Sequence, residues 1–151
     1  MTVDVRTAVG ADLEVLRGLF RRSSLSNETD RAALLANPEC LEWSGEALAE
    51  GRTRVAVDGD IVGFATAVPY GEGDWELEDL FVEPGRMRRG VASRLVEDMR
   101  VRAAAAGVRT VWVSANPQAM GFYTAVGFVP AGTAQTRFGP VPWLRLDVRG
   151  G

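Results

Sequence analysis

Few residues in this chain can do chemistry, and they fall in three short stretches. The first, PGRMRRGVAS at 84–93, turns from a strand into a helix. A helix start leaves several backbone N–H groups pointing outward. With the helix dipole, and with Arg88 and Arg89 beside it, such a turn can hold a pyrophosphate. Gly90 lets the backbone approach a phosphate closely, and Ala92 is nearly as small. An ordinary capped helix explains the same residues, and the dinucleotide fingerprint G-x-G-x-x-G is not matched. The second stretch is acidic: Glu72, Asp74, Glu76, Glu78, Asp79 and Glu83 occur with no basic residue among them. The third is SANPQAMGFYTAVGF at 114–128, where Asn116 reads as a helix cap. There Ala119, Phe122 and Val126 form a core-facing stripe, and Tyr123, about 100° away, reads as an amphipathic edge residue.

Two absences narrow the chemistry further. The 151 residues contain no His, and all 17 basic residues are Arg. Ser-His-Asp and Cys-His constellations and His-ligated zinc are therefore excluded. So are Schiff-base catalysis and a Walker-type phosphate loop, both of which need Lys. Proton transfer near neutral pH falls to carboxylates, Tyr or the single Cys40. One cysteine makes neither an intramolecular disulfide framework nor a multi-cysteine zinc site. The net charge of −3 argues against nucleic acid as the default partner. It is unevenly spread, because residues 86–109 carry seven Arg against Glu97 and Asp98. That acidic-to-basic junction could hold a cation beside an anion, or be two solvated faces. The length and an apolar fraction of 46% fit one globular domain over 1–151 with an ordinary core. No stretch approaches a membrane span, and the first residues do not read as a signal peptide, so a cytoplasmic address is expected.

The elements that must position these groups follow from periodicity. Residues 3–8 alternate as a short strand, and Leu13, Leu16, Leu19 and Phe20 give a helix over roughly 11–22. Ala32 to Leu35 predicts a short helix ending before Asn37-Pro38, and Leu41, Ala47 and Leu48 fit another helical piece closed by Gly51. Asp58-Gly59-Asp60 joins two strands as a hairpin. WELEDLFVE at 75–83 is the next strand. Val91, Leu95, Met99 and Ala103 step by four through a helix near 89–106. A strand at 109–115 follows, then a helix entered through Asn116-Pro117 and stopped at Gly127, then a final pair of strands. The order predicts a mixed α/β domain.

Taken together, the first and third stretches resemble the GNAT superfamily of acyl-CoA-dependent N-acyltransferases. The family pattern N-x-x-A-x-x-F-Y-x-x-x-G-F is met by Asn116, Ala119, Phe122, Tyr123, Gly127 and Phe128. The strand and phosphate-turn pattern is met by Leu80, Phe81, Val82, Pro84, Gly90 and Ala92. One residue departs: Met87 stands where the family has Gln or Arg. That position contributes largely through its backbone amide, so cofactor binding is expected to survive.

The resemblance implies a mostly antiparallel sheet of six to seven strands flanked by about four helices. A splayed strand pair, 75–83 and 109–115, would admit acetyl-CoA as co-substrate, with no metal. Its pyrophosphate would lie on Met87, Arg88, Arg89, Gly90, Val91, Ala92 and Ser93. The pantetheine arm would pair with Leu80 and Val82, beside Phe81, as an added strand, with Asn116 and Phe122 contributing on the other side. The N–H near Leu80 would polarise the thioester carbonyl. The acceptor would be a primary amine of a small molecule or peptide, mostly protonated at neutral pH. Glu76 and Glu78 share a face with Leu80 and Val82 by the period of two, and either could take its proton through bound water. Tyr123 would protonate the departing thiolate. Trp43, Trp75 and Trp143 could line an acceptor pocket or be core, and the resemblance leaves homodimerisation open. Two rivals stand beside this reading. One is a catalytically silent acyl-CoA sensor on the same fold; the other is an unrelated α/β domain that binds a different phosphorylated ligand.

Overall fold

Residues 3–148 are described by the computed structural model. Seven strands form one sheet in the order β1-β2-β3-β4-β5-β7-β6. They are β1 (Asp4–Thr7), β2 (Thr53–Asp58), β3 (Asp60–Tyr70), β4 (Asp74–Val82), β5 (Thr110–Ser114), β6 (Val129–Thr136) and β7 (Gly139–Asp147). Five α-helices accompany them: α1 (Leu13–Leu25), α2 (Glu28–Ala36), α3 (Glu46–Ala49), α4 (Val91–Ala105) and α5 (Met120–Ala125). β4 and β5 pair in parallel, whereas β1/β2, β2/β3, β5/β7 and β6/β7 are antiparallel. This is the mixed, mostly antiparallel α/β sheet that the element order predicts. The parallel ladder is short, holding only Trp75↔Val111 and Glu76↔Trp112.

By internal contacts the chain forms two compact units, residues 1–66 with 79–95 and residues 67–78 with 96–151. In the first, α1 lays Leu16 and Leu19 onto Val55 of β2 and Phe64 of β3, all fully buried. Phe81 of β4 joins this cluster through ring contacts with Phe20 and Phe64 at 4.8 and 5.5 Å. On the other face of β3, Gly63 makes room for the first turn of α4. A Cβ there would lie 2.9 Å from Val91 Cγ1 and 3.0 Å from the Phe81 carbonyl. The β2–β3 hairpin turns at Gly59 with φ of +76°, as Asp-Gly-Asp predicts.

In the second unit, alternation along β5 and β7 separates two faces. Val111, Val113, Leu144 and Leu146 are buried on one. Trp112, Ser114, Trp143 and Arg145 share the other. The step-of-four stripe of α4 is buried throughout, at Val91, Leu95, Met99 and Ala103.

Several boundaries move for physical reasons. The first helix is preceded by a 3-10 turn at Gly10–Asp12, where Asp12 accepts from Val9 N–H at 2.8 Å and holds Arg6 by two bonds. α2 starts earlier than its apolar residues suggest, because Asn27 caps it by accepting from Thr29 N–H. The segment after Asn116 opens as a 3-10 turn, Pro117–Ala119, before α5 begins.

Candidate active site

In the first unit, β4 delivers the chain through a 3-10 turn at Pro84–Arg86 into the segment before α4. That segment winds unusually. Arg88 has φ of +64° and Gly90 of +83°, so two left-handed residues flank Arg89. A non-glycine residue at positive φ is uncommon, and alternation of this kind turns successive amides toward one concave side. The first bond of the α4 end runs from Arg94 N–H to the Gly90 carbonyl at 3.0 Å, so the amides of Val91, Ala92 and Ser93 precede any intrahelical partner. A Cβ on Gly90 would meet nothing within 4 Å. Met87, Arg88, Arg89 and Gly90 are exposed, and Met87 presents half its surface. The cradle is thus a bare, positively flanked loop at the N-terminus of a four-turn helix, fit for a pyrophosphate in shape and charge. Leu80, Phe81 and Val82 lie just upstream and are half-buried.

The same unit contains a carboxylate that sequence reasoning treated only as surface charge. Asp79 accepts from Trp43 Nε1 at 2.9 Å and from the Thr66 hydroxyl, which is itself 2.9 Å from Thr53 Oγ1. Burial pushes its carboxyl above the usual range, and the two donors only partly offset that. Its signal lay in the pleat, since Asp79 alternates with Leu77 and Phe81, an apolar parity. Trp43 is accordingly core rather than pocket lining, buried against Phe64 at 5.0 Å.

In the second unit, Tyr123 is buried, at 8% exposure, and packs edge-on against Phe122 and Phe128. This corrects the expectation of an edge tyrosine beside a core stripe: Ala119, Phe122 and Val126 are each only half-buried. At α5 the packed side is the one that carries Tyr123, set against Phe128, and the Phe122 and Val126 side is the more open one. Burial raises the Tyr123 hydroxyl to about 12. Asn116 accepts from Gln118 N–H at 2.9 Å, a capping bond. Glu76 is half-buried, and desolvation raises its carboxyl. It stands opposite Trp112 in the β4/β5 ladder. Glu78 is exposed. Trp75 and Trp143 are half-buried.

A family model described as the acetyltransferase (GNAT) family matches residues 14–128. The chain belongs to that family. An uncharacterized N-acetyltransferase of Mycobacterium tuberculosis is 35% identical over 85 residues. This match covers 54% of each protein, so the chain spans about half the length of the curated relatives it matches. Among solved structures, a GCN5-related N-acetyltransferase from Rhodopseudomonas palustris superposes with a TM-score of 0.76. It is 22% identical, with 97% of this chain and 96% of that one covered. The PaiA N-acetyltransferase of Thermoplasma acidophilum, solved with coenzyme A, gives 0.73 at 15% identity, covering 97% and 99%. At these identities the GNAT scaffold shares its fold with both. Among the described residues, no helix is long and apolar enough to cross a membrane, and no group of three or more His, Cys, Asp or Glu is placed to hold a metal ion.

Proposed function

We propose that this chain, acting as one domain, is an acetyl-CoA-dependent N-acetyltransferase that modifies a primary amine by direct transfer. The observation that carries the reading is the cradle before α4. Left-handed Arg88 and Gly90, an open position at Gly90 and the amides of Val91, Ala92 and Ser93, which precede any intrahelical partner, suit a diphosphate on this scaffold; the Met87 amide is turned instead to the Pro84 carbonyl. Acetyl-CoA supplies the activated acetyl group. Arg88 and Arg89 neutralise the diphosphate, and the backbone of Leu80 and Val82 pairs with the pantetheine amides as a strand would. The N–H near Leu80 polarises the thioester carbonyl.

Glu76 takes the proton of the incoming ammonium, directly or through water. Desolvation favours this role, because a raised carboxyl is a stronger base than an exposed one. Glu78, one pleat further along, is the second candidate. Tyr123 stays protonated at any physiological pH and donates to the leaving sulfur. Its value of about 12 lies above the ~8.5 of a free thiol, so full transfer needs a sulfur in similarly dry surroundings, where its own affinity for the proton also rises.

Calorimetric titration with acetyl-CoA, followed by thiol release over an amine panel, tests the reading. Binding with release is expected. Binding without release across the panel indicates a silent acyl-CoA sensor, and absence of binding overturns the cradle.

A further inference from the structure

The face of β5 and β7 opposite the buried valines and leucines carries an aromatic cluster. Trp112 and Trp143 stack with ring centroids 5.4 Å apart and planes 11° from parallel. Tyr70, at the end of β3, leans on them at 6.2 and 5.6 Å. None of the three is buried, and Tyr70 keeps 42% of its surface. Asp74 accepts from Trp112 Nε1 at 3.0 Å, which fixes the indole and sets a carboxylate at its edge. Glu76 is the ladder neighbour of Trp112, on the same face. Residues 72–83 hold no cation. Arg145, which the ladder places on this face, is occupied by both oxygens of Asp147 at 3.0 and 2.9 Å.

Electron-rich ring faces bordered by carboxylates attract a cation more than a neutral ligand. We propose that this platform binds a second cationic group of the acceptor, so that the substrate is a small diamine or polyamine. One amine would sit at Glu76 while the other rests on Trp112, Trp143 and Tyr70. The proposal rests on the acetyltransferase reading and adds the substrate class. Two strands across and two residues along, Trp143 stands roughly 12 Å from Glu76 by strand spacing, a reach that suits an extended diamine.

The test compares diaminohexane with hexylamine. For the wild-type chain, kcat/KM for thiol release should be at least tenfold higher with the diamine. Trp143→Leu should bring the ratio toward one while leaving acetyl-CoA affinity by calorimetry unchanged. Asp74→Asn should lower the ratio too, and its amide oxygen can still accept from Trp112, so the fold is kept. Diaminohexane alone should quench tryptophan fluorescence saturably, and hexylamine should not. Equal use of both amines, a preference that both variants retain, or acceptance of lysine peptides with no diamine binding would overturn the proposal. If acetyl-CoA does not bind, the acetyltransferase reading fails, and the fluorescence arm still decides the platform by itself.

Discussion

Desolvation acts on Tyr123 and Glu76 in the two directions that their proposed duties require. Burial keeps the phenol protonated and makes the carboxylate hungrier for a proton. Tyr123→Phe should lower turnover by roughly 100-fold with little change in acetyl-CoA affinity, measured by thiol release and calorimetry. Ultraviolet titration should find one tyrosine ionising near 12. For Glu76, activity should fall as pH drops through a value above that of an ordinary glutamate, because the base works deprotonated. In Glu76→Gln that limb should vanish from the kcat/KM profile, whereas Glu78→Gln should leave it in place; the reverse pattern would assign the base to Glu78. Tyr123, Asn116 and both glutamates were legible as types at a spacing. The burial of Tyr123 was not, because spacing within so short a helix does not say which side packs, and its partner Phe128 lies beyond the stop at Gly127. Asp79 was missed because a carboxylate in an acidic run looks like its exposed neighbour Glu78 until the partners Trp43 and Thr66, distant in sequence, are known.

At the scale of elements, glycines decide how closely backbone can approach backbone or ligand. Gly63→Ala would press a methyl onto Val91 and the Phe81 carbonyl, contacts under about 3 Å that cannot be met without a shift of α4. A loss of about 1–3 kcal/mol is expected from urea unfolding. Gly90→Val acts differently. Nothing in the protein opposes its side chain, so the cost to the fold is the left-handed backbone, about 1–2 kcal/mol. Acetyl-CoA affinity should fall by more than tenfold, since the valine occupies the ligand's side of the cradle. α4 was legible almost to the residue because its apolar step of four is uninterrupted. The aromatic platform was not. VRTVWVSA reads as a buried strand whose pleat turns Trp112 away from the valines on either side, and only pairing with β7 brings Trp143 to that same face.

For the whole molecule, ionisable groups pull the pH dependence of stability in opposite directions. Asp12 and Glu83 are held below their ordinary values by Arg6 and Arg22, so their contribution exists above the unfolded pKa and is lost as pH falls. Asp79 is raised, so its contribution is complete below the unfolded pKa and is lost as pH rises through the folded one. Asp79→Asn should therefore gain stability relative to wild type as pH rises from the acid to the neutral range, whereas Asp12→Ala should lose about 1 kcal/mol at neutral pH, because water screens half-exposed Arg6. Urea midpoints across that range check both signs. The short ladder between β4 and β5 has a further consequence. A strand whose amides run on past its neighbour is an invitation to any other extended chain, including a second copy of itself. In the proposed binding mode the pantetheine arm would lie where a neighbouring strand would, and so close that invitation. Deuterium uptake over residues 77–82 should slow when coenzyme A is added. Storage without it should favour clumping, so the ligand would serve this protein as chaperone as well as reagent.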